Sequence, residues 1–402
     1  MTLRKIAPLA LSTLIVMSNS AIAEEAITSP TSVGQTIKDN KKKKPLPLKQ
    51  YLEQEYNFSI TADYNAYALT SDDVFPGTDE SVSSGVFRFM GKWQATENGS
   101  FNFKIEHRHA YSDEPPKLYG ITNVGMASLA GAAFNDQGGR VTNMYWRQNF
   151  DDNNTVVWVG WMDITDYIDA YAQASPWTDF SNLVFSTGSN TMALPDDAAF
   201  GVAAGTMLSD SVYLLGGITD ASGFSDTNEF TDNIDKFWND SKHHKSIELG
   251  HTGAGKGQVY LNNTHVTYWQ QDGGTRHDNN ASGDDSEGVN FSASYMLGKW
   301  MPFIRGGIAN GPVPMLEKSI SVGTGYYGLF TEGDILGVAF NWGKVNKEAF
   351  GTDNSQYISQ IYYKAIVNDF IQLIPDVQFV KDGALTNESS QVIFGLRARF
   401  IL

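Results

Sequence analysis

The chain has 402 residues, a formal net charge of −16 and no cysteine. So acidic a chain excludes nucleic acid as a surface partner, and without cysteine no disulfide can brace the fold. Aromatic residues make up 12% and glycines number 38, and beyond residue 23 no run approaches the ~20 apolar residues of a helical membrane span.

The first residues read as an export signal. Arg4 and Lys5 precede the apolar stretch Ile6 to Met17, and Ala21-Ile22-Ala23 is a small-residue cleavage pattern. Cleavage is expected after Ala23; an N-terminal membrane anchor is the alternative. Loss of Arg4 and Lys5 takes the formal charge from −16 to −18. Residues 24–55 read as an N-terminal extension. Within it Lys41 to Lys44 and Pro45-Leu46-Pro47 form a solvated linker whose lysines could touch anionic lipid heads. Leu48 to Glu55 has the spacing of one or two helical turns. Residues 56–402 are expected to form one β-barrel domain.

From Phe58 the apolar period becomes two. In Ser100 to His109, Phe101, Phe103 and Ile105 share one face, and Asn102, Lys104, Glu106 and Arg108 share the other. Val86 to Trp93 repeats the pattern, with Arg88 and Lys92 opposite Phe87, Phe89 and Trp93. Thr96-Glu97-Asn98-Gly99 joins the two as a hairpin. Further strands are predicted over 141–150, 155–163, 200–207, 212–218, 246–251, 258–269, 289–297, 301–309, 320–327, 335–342, 357–367 and 370–380. The last strand runs over 391–402. Val392, Phe394, Leu396, Ala398, Phe400 and Leu402 make its apolar face, and Arg397 and Arg399 lie opposite.

Tight turns such as 151–154 alternate with long acidic connections such as 223–244 and 272–288, the habit of an outer-membrane barrel. About 350 residues at ~10 per tilted strand, with connections of similar length, give roughly 16 strands, a size that leaves an aqueous channel. The fold class is all-β: a transmembrane antiparallel β-barrel in the bacterial outer membrane. Trp93, Tyr111, Trp146, Trp158, Trp269, Trp300, Trp342, Tyr362 and Tyr363 adjoin turn sequences and are expected in interfacial girdles. Ordinary core packing is the alternative.

Motifs for other chemistry fail on inspection. Gly250 to Lys256 starts like a phosphate-binding loop. Gly257 then stands where a magnesium-holding Ser or Thr belongs, and the following Gln258-Val259-Tyr260-Leu261 reads as strand. His107 with His109, and His243 with His244, lack a third metal ligand at a recognisable spacing. Asp272 to Glu287 lacks the EF-hand order, leaving only loose cation binding as an option. No nucleophile-elbow sequence occurs. No catalytic residue, cofactor or metal is therefore assigned.

What remains is charge on the polar faces of apolar strands: Arg88, Lys104, Glu106, Arg108, Arg147, Arg397 and Arg399. Ionisable groups at membrane depth face a wet cavity or one another. The segment 163–182 breaks the strand rhythm and carries Asp163, Asp166, Asp169, Asp179, Tyr167, Tyr171 and Trp177. Carboxylates beside aromatic rings are what a sugar-binding constriction needs; a surface loop of the same composition stays open.

At these residues the chain resembles a known family. Gly160 to Asp169 looks like the Gly-x-x-Asp-x-x-Asp stretch of carbohydrate-selective porins of the OprB type. Asn143 to Gln148 is similar to that family's preceding strand. Gly333 to Gly343, Leu373 to Phe379 and Phe394 to Arg399 resemble its late strands. The chain ends in Leu402, where the family usually has an aromatic residue. The resemblance implies a 16-stranded outer-membrane porin that passes monosaccharides and related solutes by diffusion. It also implies that the segment after Asp163 narrows the pore and that arginines and acids line the constriction. The partners are then small sugars and outer-membrane lipid, with a homo-oligomer left open. A non-selective porin, a non-conducting surface barrel and a barrel-embedded hydrolase are the competing readings.

Overall fold

The computed structural model describes residues 27–41, 46–254, 258–273 and 284–402. The expected cleavage site after Ala23, the lysines at 42–44, Gly255 to Gly257 and the middle of the acidic loop (274–283) lie outside them. The first strands are β1 (Phe58–Ser71), β2 (Ser81–Gln94), β3 (Gly99–Ala110), β4 (Gly138–Phe150) and β5 (Thr155–Met162). They are followed by β6 (Ala199–Met207), β7 (Val212–Asp220), β8 (His243–Thr252), β9 (Asn263–Gln271) and β10 (Ser286–Ser294). The circuit is completed by β11 (Trp300–Asn310), β12 (Leu316–Tyr327), β13 (Ile335–Val345), β14 (Ser355–Asn368), β15 (Ile371–Lys381) and β16 (Ser390–Ile401).

Each strand pairs with its neighbours in sequence, and β1 closes on β16 to make a sixteen-stranded barrel. The closing register runs from Asp63 opposite Ile401 to Ser71 opposite Ile393. Closure leaves no unpaired strand edge, which is what lets a sheet sit in lipid. Among the described residues no helix is long and apolar enough to cross a membrane.

The two faces separate as alternation requires. On β3 Asn102, Lys104, Glu106 and Arg108 are buried while Ile105 is exposed. On β16 Arg397 and Arg399 are buried while Phe394, Leu396 and Phe400 are exposed. Leu249, Val266, Phe291, Val322 and Phe340 continue the exposed apolar band around the wall. Side chains at such positions are those that meet lipid tails.

The connections differ sharply between the two ends. Short turns at 95–98, 151–154, 208–211 and 369–370 share one end with the start of β1 and the end of β16. Residues 111–137, 163–198 and 221–242 connect strands at the other end. Loop 163–198 folds into the barrel, and Tyr171, Phe180 and Phe185 pack with Phe134 of loop 111–137 and with Phe303 and Tyr362 on the wall. Glycine makes room for it: a Cβ on Gly307 would lie 2.3 Å from Thr191 Oγ1 and 2.5 Å from Asn290 Nδ2.

Two expectations change. Trp158, Trp269 and Tyr362 are buried and face inward, where Trp158 stacks on Tyr167 and Tyr362 donates to Asp179 Oδ1 at 2.8 Å. Trp93, Tyr111 and Trp300 are exposed on the outer wall, as a girdle demands. The strand expected from Gln258 starts instead at Asn263, because Val259 and Tyr260 turn inward and are buried.

The N-terminal segment holds a feature that alternation does not reveal. Helix α1 (Val33–Asp39) lies against the inner faces of β1, β2 and β3, whereas helix α2 (Pro47–Tyr56) has no buried residue. Pro47 starts α2, where its missing N–H costs nothing, and Asn57 ends it in the left-handed region.

Candidate functional site

Strand β3 supplies the wall of the site. Its inward residues Lys104, Glu106 and Arg108 form a ladder of alternating charge. Loop 163–198 supplies the facing acids. Asp163 Oδ1 accepts from Thr165 N at 3.0 Å and from the Thr165 hydroxyl at 2.7 Å, so it caps the first turn of the loop. Asn143 on β4 donates to Asp166 Oδ2 at 2.8 Å and accepts from Asp163 N at 3.1 Å, which fixes both acids against the wall. Lys104 Nζ then lies 3.8 Å from Asp163 Oδ2 and 3.8 Å from Asp166 Oδ2.

Arg108 is held from three sides: Nε donates to Glu106 Oε2 at 2.7 Å, Nη1 lies 2.8 Å from Asp197 Oδ1, and Nη1 donates to Gln137 Oε1 at 3.3 Å. Lys117 in turn holds Asp196 at 2.9 Å. Loops 111–137 and 163–198 therefore meet over Arg108 through charge as well as rings. Between them and β3 is a cavity of about 570 Å3, within the ~300–1,000 Å3 range of small-molecule sites. Lys104, Glu106, Arg108, Asp163, Asp166 and Trp177 line it.

Burial pushes the Asp166 carboxyl up to about 7, against the pull of the Lys104 ammonium and with help from the Asp163 carboxylate. Asp197 is raised by burial too, against Arg108. Burial thus makes Asp166 and Asp197 hold a proton more readily than surface carboxylates do.

The other sequence-predicted residues hold the architecture around the cavity. Arg88 grips Asp63 in a fork at 2.7 and 2.6 Å and stacks on the Trp177 ring at 4.1 Å. Arg399 reaches the same Asp63 at 2.7 Å. Arg397 donates to the Pro176 carbonyl at 2.7 Å, tying β16 to the loop. Asp169 is enclosed: it accepts from His265 Nε2 at 2.8 Å and from Gly188 N at 2.6 Å, and it pairs with Arg305. Asp179 receives the Tyr362 hydroxyl, and Arg147 borders a small recess with Asn143, Asp166 and Tyr167.

Residues 54–402 match the carbohydrate-selective porin, OprB family. The chain belongs to that family. The Pseudomonas putida OprB structure at high pH superposes with a TM-score of 0.71 at 13% identity, over 89% of this chain and 96% of that one. The low-pH structure of the same protein gives 0.51 at 11% identity, over 88% and 95%. A loop-L8 deletion mutant of Vibrio cholerae OmpT, an outer-membrane protein, gives 0.52 at 13%, over 86% and 99%. At these identities the structural likeness speaks for the fold alone. No curated protein matches the chain.

In this OprB-family porin several charged groups around the site were not singled out from the sequence. Asp63, Arg305 and Asp376 are inward residues of β1, β11 and β15, so the alternation that exposed Lys104 applies equally to them. Asp196 and Asp197 lie in a loop, where no periodicity exists to read. Among the described residues no group of three or more potential ligands is placed to hold a metal ion.

Proposed function

We infer that this porin lets small carbohydrates and related polar solutes diffuse passively across the outer membrane. Long loops of such barrels face outward and short turns face the periplasm, so solute enters past loops 111–137 and 163–198. The observation that carries the reading is the charge ladder Lys104, Glu106, Arg108 lining one cavity together with Asp163 and Asp166 beside it. Alternating donors and acceptors suit vicinal hydroxyls, which both donate and accept. Trp177 adds an apolar edge to the cavity lining, its ring held between Arg88 and Phe134. Arg88, Asp169, Asp179, Arg397 and Arg399 act by holding the loop and wall in place, and Arg147 borders a small recess beside them. No step needs an energy source, because the concentration gradient drives flux.

The test is single-channel current through mature protein in a planar bilayer, with glucose titrated on one side. Conductance that falls saturably with glucose supports a carbohydrate site. Conductance indifferent to every sugar overturns selectivity and leaves a general porin. Absence of current from folded, heat-modifiable protein overturns the channel itself.

A further inference from the structure

Most of Ile27 to Asn40 is buried inside a barrel that is already closed without it. Its path crosses the lumen. Ile27 packs with Val156 and Leu215 on the inner faces of β5 and β7. Its side-chain carbons lie 3.1 and 3.2 Å from the point where Gly205 on β6 would carry a Cβ. Ser29 N donates to the Asp166 carbonyl at 3.1 Å, and Thr31 borders the cavity beside Lys104 and Asp166. Val33 and Ile37 of α1 then pack on Met90, an inward residue of β2. Asn40 Oδ1 accepts from Arg399 Nη2 on β16 at 2.7 Å. The segment thus runs from the β5–β7 wall, under the cavity, to the wall formed by β16 and β1–β3.

Its local structure fits a fixed element. Ser32 caps α1 by accepting from Gln35 N at 3.3 Å, and Gln35 Nε2 holds Asp39 at 2.7 Å. Ile27 has φ 49°, a left-handed backbone that a β-branched residue adopts only when its surroundings hold it there. A helix with side chains is about 10–12 Å across, so α1 takes up a large share of the aqueous section of a barrel this size. The family match begins at residue 54, after this segment ends.

We propose that Ile27–Asn40 is an intraluminal plug that forms the floor of the cavity and sets the pore's narrowest section towards the periplasm. It is then a second determinant of solute size, beside loop 163–198. The proposal rests on the porin reading and adds to it. Polar solutes pass between the plug and the wall, where Thr31, Asp166 and Lys104 meet, and not through an open bore below the loop.

The test deletes residues 27–40 from the full chain, leaving the export signal and the barrel intact. The deletion is expected to raise single-channel conductance about twofold or more, since flux follows pore section. Liposome swelling with di- and trisaccharides should speed up more than swelling with a monosaccharide. Equal conductance and an equal size limit in the two folded proteins overturn the plug while leaving the porin. Loss of current from both overturns the porin and the plug with it.

The seat is tested separately by the pair Ile27→Cys and Gly205→Cys in the full chain. The protein has no other cysteine, and the side chains are close enough for the ~3.5–4.5 Å between Cβ atoms that a disulfide needs. Mild oxidation should join them, read as loss of two free thiols by mass. Two thiols that stay free in the folded barrel under oxidant overturn the placement.

Discussion

Asp166 and Asp169 lie three residues apart and invite the same expectation, yet their surroundings give them different work. Asp166 borders the cavity with its carboxyl near 7. Because its value is raised above an ordinary carboxylate's, the folded protein holds the proton through the window from about 4 to 7, and ionising it above that window costs stability. As pH falls from 8 to 6 the pore therefore loses negative charge beside Lys104. Cation-over-anion permeability, read as reversal potential in a salt gradient, should drop across that range. Asp166→Asn should show the low-pH value throughout, with stability at pH 8 unchanged or improved. Asp169 instead neutralises Arg305 where both are fully buried. Asp169→Ala leaves that guanidinium buried without its partner, a loss of about 3–5 kcal/mol in comparable sites. The folded band on a gel should convert at a lower temperature, with current noise rising as the loop loosens. A lowered conversion temperature in Asp166→Asn, with none in Asp169→Ala, would reverse these assignments.

At the scale of elements, the strands were legible wherever one face differs from the other. Asn102, Lys104, Glu106 and Arg108 against Phe101, Phe103 and Ile105 leave a single way to orient β3. Contrast fails in β5, where Val156, Val157, Trp158 and Val159 make both faces apolar, so the inward turn of Trp158 had no signal. Trp269 could have been placed, since it shares a face with His265 and Thr267. The segment 163–182 was legible as an interruption rich in acids and rings; that it lies inside the barrel depends on distant partners such as Arg397 and Tyr362. The plug was not legible, because Ile27 to Asn40 is too short for a period to show and its partners are spread over seven strands. Loop position is open to a direct test at Gly307. A valine there places its Cβ 2.3 Å from Thr191 Oγ1, closer than atoms can approach, and β11 cannot yield without breaking its ladder. Gly307→Val should push loop 163–198 from the wall and change single-channel conductance while the barrel still folds. Conductance identical to the parent's would mean that the loop's contact with β11 does not set the pore.

For the whole molecule the decisive event is closure, because β1 and β16 lie at opposite ends of the barrel sequence and must find each other. Backbone pairing provides most of the bond, but pairing alone tolerates a slipped register. A buried clasp opposes slippage: Asp63 on β1 receives Arg88 from β2 and Arg399 from β16, and all three are buried. A shift of one residue turns Asp63 towards lipid and leaves two guanidinium groups without their shared carboxylate. The clasp therefore favours the observed register through the cost of the alternatives. Asp63→Ala leaves both arginines buried without that carboxylate, and breaking a buried pair costs about 3–5 kcal/mol. Triple replacement by Met at 63, 88 and 399 removes all three charges together and should recover much of the loss. Refolding yield into detergent and the conversion temperature of the folded band measure both effects. The single variant should fold poorly or melt early, and the triple variant should melt closer to the parent. A single variant as stable as the parent would show that the β1–β16 ladder alone fixes closure.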